Sequence, residues 1–172
     1  MADIQSVVKS VKEPLRAYNF LVELPSEFGN SDKLKYQVLS VELPAFIGFD
    51  VEEVMYAPGF SVRFPAKFRC EDVVKVSFWE DEELSVWLYF MKWRDRVVDM
   101  NEDSVYFMNY NLRREYVRDV YVRVLDVRGG VIRSVRVIEA FPSSVSSLSF
   151  RYGENELVTV DVEFSYKSIK IE

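Results

Sequence analysis

"EAFPSSVSSLSFRYGENELVTVDVEFSYKSIKIE", residues 139–172, is the stretch whose reading decides the fold. Val158, Val160, Val162, Phe164 and Tyr166 alternate there with Thr159, Asp161, Glu163, Ser165 and Lys167. Successive side chains of a strand point to opposite faces, so this period of two predicts a strand with one face in a core and the other in water. The preceding segment repeats the pattern, with Leu148, Phe150 and Tyr152 set against Ser147, Ser149 and Arg151, and "GEN" (153–155) reads as the glycine-bearing turn between the two. The plain reading is an antiparallel sheet with one solvated side. Such a sheet has edges that must be paired, covered or charged. One solution continues the sheet through neighbouring copies around a closed ring.

Upstream, "YNFLVEL" (18–24) and "LKYQVLSVELP" (34–44) read as strands separated by the polar loop "SEFGNSDK" (26–33). Residues 44–72 form a long stretch punctuated by Gly48, Pro58, Gly59 and Pro65, with strand-like pieces at 51–55 and 60–68; its length marks it as functional or engaged with a partner. "VVKVSFW" (73–79) is a strand with Val74, Val76 and Phe78 on one face and Lys75 and Ser77 on the other. It leads into a helix predicted over 81–98, with acids at its start, Lys92, Arg94 and Arg96 toward its end, and an apolar line of Leu84, Leu88 and Met91 broadened by Trp87, Phe90 and Trp93. That breadth predicts a helix covered on most sides. Gly129-Gly130 predicts a two-residue hairpin between two further strands. Residues 1–14 read as a short helix or an arm, stopped by Pro14.

The 172 residues suffice for one domain with a real core, and an aromatic share of 15% favours pleated, half-buried surfaces. The expected fold is mainly β (α+β): an antiparallel two-sheet sandwich or barrel with one main helix packed on it. Histidine is absent, which removes the commonest general base, the Ser-His and Cys-His nucleophile pairs and the usual zinc ligand sets. Cys70 is the sole cysteine and reads as an inert thiol. The acid pairs Asp81 with Glu83 and Asp161 with Glu163 read as a helix start and a solvated strand face rather than as catalytic carboxylates. No catalytic residue, metal site or cofactor is expected. A net charge of −6 argues against a nucleic-acid binder that works by neutralising phosphates. Neither a secretory signal nor an apolar run of about 18 residues is present, which predicts a soluble product of a cytoplasm without a membrane anchor.

The order of these pieces resembles the tail tube proteins of contractile-tailed bacteriophages, related to the tubes of contractile injection systems. The resemblance covers the chain from about Pro14 and is carried above all by "FPSSVSSLSFRYGENELVTVDVEF" (141–164). There Pro142, Ser143, Val145, Leu148, Tyr152, Asn155 and Glu156 stand at the family's motif positions. "YNFLVEL", "LSVELPAFIG" (39–48) and "YFMKWRDRV" (89–97) support it more weakly.

The resemblance implies stacked hexameric rings whose two-faced strands build a continuous inner β-barrel that conducts DNA without binding it specifically. It implies as partners further copies of the chain and sheath, baseplate and terminator proteins. The implied location is the virion tail, after assembly in the host cytoplasm. The implied channel lining is Ser147, Ser149, Arg151, Thr159, Asp161, Glu163, Ser165 and Lys167, joined by Lys35, Gln37, Lys75 and Ser77. The stretch 44–72 corresponds to the inter-subunit and inter-ring loop, with Phe46, Ile47, Phe49, Met55, Tyr56, Phe60 and Phe64 as its contact residues.

Such channels are expected to be acidic, whereas this lining sets Arg151, Lys167, Lys35 and Lys75 against Asp161 and Glu163. Glu154, Glu156 and Asp32 are the loop acids that could supply the difference. Two alternatives stay open from the residues alone: a baseplate tube-initiator of the same fold, and a monomeric β-barrel that binds a small ligand or peptide under a loop lid.

Overall fold

The computed structural model describes residues 18–44, 48–69, 73–99, 109–150 and 156–172. Phe46, Ile47, Cys70, Arg151, Tyr152, Glu154, Asn155 and the N-terminal segment 1–14 lie outside them. The main sheet is antiparallel and runs in the order β1 (Phe20–Glu23), β8 (Arg118–Leu125), β9 (Val131–Val145), β10 (Thr159–Ser165), β5 (Val73–Trp79), β2 (Val38–Glu42), with β11 (Ser168–Ile171) also pairing with β9. This is the mainly β architecture with one main helix that the sequence implies. The sheet is open, so the self-closed barrel of the monomeric alternative is not what forms.

β9 belongs to two half-sheets. Residues 131–138 sit between β8 and β11, whereas 141–145 pair with β10. The chain after β10 makes the same crossing, because β11 pairs with 135–138. The final strand expected over 156–167 is thus the shorter β10, and beyond a bend at Tyr166-Lys167 follows β11, a strand the sequence reading did not name. The strand expected from Ser147 is also absent: residues 146–150 have no regular structure, and 141–145 take the place beside β10. Alternation alone could not tell these segments apart, since both read as half-apolar.

The core is one contiguous cluster. Val22, Val120, Val122, Val135 and Val137 come from the first half-sheet and Val74, Val76, Phe78, Val160, Val162 and Phe164 from the second, closed by α2 (Ser85–Val97). Phe90 packs on Phe78 and Phe164 at 5.5 and 5.8 Å, and Trp93 stacks on Phe28 at 4.6 Å. Burying each such ring contributes about 1.5–3 kcal/mol. Trp93 also donates its indole N–H to the Tyr116 carbonyl at 2.8 Å, and the Tyr89 hydroxyl donates to the Pro25 carbonyl. Burial raises the Tyr89 phenol well above its ordinary value.

The buried stripe of α2 is Val86, Tyr89, Phe90 and Trp93, not the expected line through Leu84, Leu88 and Met91. Leu88 is 47% exposed, so the helix is covered on one side rather than on most sides. It also starts later than expected, at Ser85, because Glu80 and Asp81 lie upstream as caps. The Glu80 carboxylate accepts from the N–H groups of Asp81, Val86 and Trp87, and Asp81 accepts from those of Glu83 and Ser85. Leu84 carries the left-handed turn this geometry needs, at φ 54°. Partial burial pushes the Asp81 carboxyl up. The Lys33 ammonium and the Ser85 groups outweigh it and hold the acid well below the usual carboxylate range.

The expected polar loop at 26–33 is a folded unit. A 3-10 turn (Ser26–Phe28) buries Phe28, and α1 (Ser31–Leu34), with Asn30 accepting from the Lys33 N–H, buries Leu34. The second strand consequently begins at Val38 rather than near Leu34. The Gly-Gly hairpin has a longer loop than two residues: Asp126 accepts from the N–H groups of Arg128 and Gly130, and only Gly129 takes positive φ, at +83°. An aspartate that can organise a turn through its side chain was the overlooked signal.

Within the stretch 44–72, the strand-like pieces expected at 51–55 and 60–68 fall in two paired strands. Most of the stretch is a β-ribbon of β3 (Gly48–Ala57) and β4 (Phe60–Arg69), turned at Pro58-Gly59 and paired to no other strand among the described residues. Short elements β6 (Val98–Asp99), β7 (Asn109–Tyr110) and α3 (Arg113–Tyr116) complete the order.

Candidate functional site

Because α2 covers the apolar face of β9–β10–β5–β2, the opposite face of that half-sheet is left polar. Its rows follow from register. Glu163 lies between Ser144 of β9 and Lys75 of β5, and Glu42 of β2 extends the row beyond Lys75. In the next row Asp161 faces Ser77, which faces Ser40, and Trp79 faces Thr159 in the third. The Ser77 hydroxyl donates to Asp161 Oδ1 at 2.5 Å, Lys75 Nζ lies 3.4 Å from Glu163 Oε1, and the Asp161 N–H donates to Ser146 Oγ at 2.9 Å. Cross-strand pairs of this kind keep the face ordered without burying it.

Of the expected lining residues, Thr159, Asp161, Glu163 and Ser165 stand on this face of β10, as do Lys75 and Ser77 on β5. Ser147 and Ser149 lie past the end of β9 and are on no strand, and Arg151 is outside the described residues. Three of the other expected residues lie off this face in the single chain. Lys167 sits in the bend after β10, where its ammonium pairs with Glu139 at 2.7 Å. Lys35 caps α1 and pairs with Asp32. Gln37 is 1% exposed and turns inward, its amide donating to Asp81. Sequence reasoning missed Glu42 and Ser40, although "SVE" in β2 carries the same alternation as β10. With Lys35 and Lys167 removed and Glu42 added, the described face has three carboxylates (Glu42, Asp161, Glu163) against one ammonium (Lys75). The acid lies on the strands themselves; of the loop acids considered, Glu156 precedes β10 and Asp32 is paired at α1.

A second surface is the ribbon. Met55, Tyr56 and Phe60 are 74%, 63% and 59% exposed, and Phe49 and Phe64 are exposed too. Tyr56 and Phe60 meet ring to ring, while Glu53 accepts from Ser61 and pairs with Arg63. Exposed apolar side chains in such number make the ribbon a candidate contact surface.

Among the described residues no group of three or more Cys, Asp or Glu is placed to hold a metal ion, and no helix is long and apolar enough to cross a membrane.

This fold is shared with solved structures from contractile injection systems. The chain superposes on the tube terminating cap of the anti-feeding prophage with a TM-score of 0.63 at 19% identity, over 95% of this chain and 93% of that one. It matches the sheath/tube terminator of an extracellular contractile injection system, PVC, with 0.64 at 16% over 95% and 99%, and a PVC sheath-tube complex in the extended state with 0.62 at 15% over 100% and 99%. At these identities the likeness is one of fold. No curated protein matches the chain in sequence. The family model for phage tail tube protein matches residues 8–172, and the chain belongs to that family.

Proposed function

We propose that the protein is the repeating subunit of a contractile tail tube. Copies join edge to edge through the half-sheet β9–β10–β5–β2, whose outer edges, β2 and residues 141–145 of β9, have no strand beyond them among the described residues. Closure of that sheet into hexameric rings removes both edges and turns the polar face inward as a channel. Thr159, Asp161, Glu163, Ser165, Lys75, Ser77 and Glu42 line it, and the excess of carboxylates lets DNA pass without sticking. The ribbon bridges to neighbouring subunits and stacked rings through Phe49, Met55, Tyr56, Phe60 and Phe64. Sheath, baseplate and terminator proteins meet the tube from outside and at its ends. The particle is a phage tail assembled in the host cytoplasm, and the chain acts by geometry rather than catalysis.

The observation that carries this reading is an edge left open: β2 has no strand beyond it among the described residues, and Leu39, at an irregularity between Val38 and Ser40, is 45% exposed beside the charged Glu42. Negative-stain electron microscopy of the purified protein across a concentration series is the test. Rings or tubes with a central hole are expected, and Leu39→Lys abolishes them while leaving the circular dichroism spectrum intact. Monodisperse monomers at every concentration would overturn the reading.

A further inference from the structure

The bend in β9 is made by an unfavourable residue. Glu139 has φ 51°, in the left-handed region, at an irregularity where β9 gains one residue over β8 between the pairs Arg118–Ala140 and Val120–Val137. Glycine is the ordinary occupant of a left-handed position in a bulge, and a side chain there costs on the order of 1 kcal/mol. A glutamate at a position that disfavours a side chain points to a use for that side chain.

Its surroundings supply the use. Glu139 Oε1 pairs with Lys167 Nζ at 2.7 Å and Oε2 with Arg113 Nε at 3.2 Å, while its N–H donates to Asp119 Oδ1 at 3.0 Å. Asp119 is held in turn by Arg136, whose guanidinium lies over the Tyr121 ring. The Lys167 N–H donates to the Ile138 carbonyl at 3.0 Å. Both chain segments that cross between the half-sheets, at Glu139 and at Lys167, are thus stitched together at the crossing point, with α3 tied in through Arg113.

We infer that Glu139 is the angle-setting residue of the subunit: the Lys167–Glu139–Arg113 clasp fixes the angle between the two half-sheets and thereby the number of copies that close a ring. The inference rests on the ring reading for its consequence, but the angle belongs to the single chain. A half-sheet free to swing relative to the body that positions its neighbours would close at several diameters or remain as open arcs, whereas a clasped corner admits one.

The test combines a distance in the dispersed chain with the assembly. Spin labels at Glu42→Cys and Arg133→Cys, in a Cys70→Ser background, report the separation of the half-sheets by pulsed electron resonance at low concentration. Glu139→Gly removes the clasp while relieving the strained backbone. Lys167→Met leaves that backbone as it is and serves if the glycine variant fails to fold. The expected result is a broadened distance distribution in either variant, with a fall of about threefold in rings of the parental diameter, the scale of one or two exposed ion pairs. An unchanged distance distribution overturns the proposal whatever the rings do. A broadened distribution with rings of unaltered diameter overturns its consequence for closure. Rings are counted in unlabelled chains with Glu42 intact; their absence in the unlabelled parent sinks the ring reading instead, and the distance still decides whether the corner is clasped.

Discussion

The half-sheet under α2 and the β3–β4 ribbon are built from similar material, antiparallel strands with valine and aromatic residues in alternation, yet they differ in what they bury. Val74, Val76, Phe78, Val160, Val162 and Phe164 are sealed by Phe90 and Trp93, while Met55, Tyr56 and Phe60 stand in solvent. Alternation dictates which residues share a face. Whether that face is covered depends on another element reaching it, and of these two regions the half-sheet has such a cover among the described residues. On the proposed reading, Met55, Tyr56 and Phe60 contribute little to the monomer and serve a partner.

The sharpest break in this comparison comes from Trp93→Ala. Removing a buried ring that stacks on Phe28 and touches Phe164 is expected to cost about 3–5 kcal/mol in urea unfolding, enough to bring the chain near its stability limit. Glu80→Ala comes next, at about 2 kcal/mol, since three backbone N–H groups lose their acceptor where the sheet hands over to α2. Thermal unfolding of this variant should show a loss of helical signal before the sheet signal falls.

Acid sharpens the same junction more gently. The Asp81 carboxyl is held below its ordinary value in the fold, so its contribution is complete above its unfolded value, near about 4, and is lost as pH falls below that toward the depressed folded value. A urea series from neutral pH downward should find Asp81→Asn less stable than the parent by a constant margin above about pH 5. That margin should shrink below about pH 4; one that persisted in acid would mean the carboxylate is not what holds the turn.

The smallest effect on the monomer is expected from the ribbon. Tyr56→Ser with Phe60→Ser should leave unfolding within about 0.5 kcal/mol of the parent, while sedimentation shows assembly lost. If this pair destabilised the monomer as much as Trp93→Ala, the ribbon would be packed on its own chain and the contrast would fail.

The period of two in β5 and β10 was written in the order of residues, and with it the buried and wet faces, the mainly β class and four of the polar residues on β10, Thr159, Asp161, Glu163 and Ser165. A stretch of alternating apolar residues admits no other arrangement with a buried face. The family membership was legible in the same way, through the closing motif. What stood outside that reach was everything set by contacts distant in sequence. Gln37 looks like a polar strand residue until Asp81 draws it inward, and Lys167 continues the alternation of β10 until Glu139 pulls it to the corner. Glu42 joins Asp161 and Glu163 only because β2 and β10 flank β5. Local periodicity is a property of neighbours along the chain, whereas the balance of charge on a sheet face is a property of strands brought side by side. The first was determined by the sequence alone, and the second, like the bend at Glu139, was decided only when the chain folded.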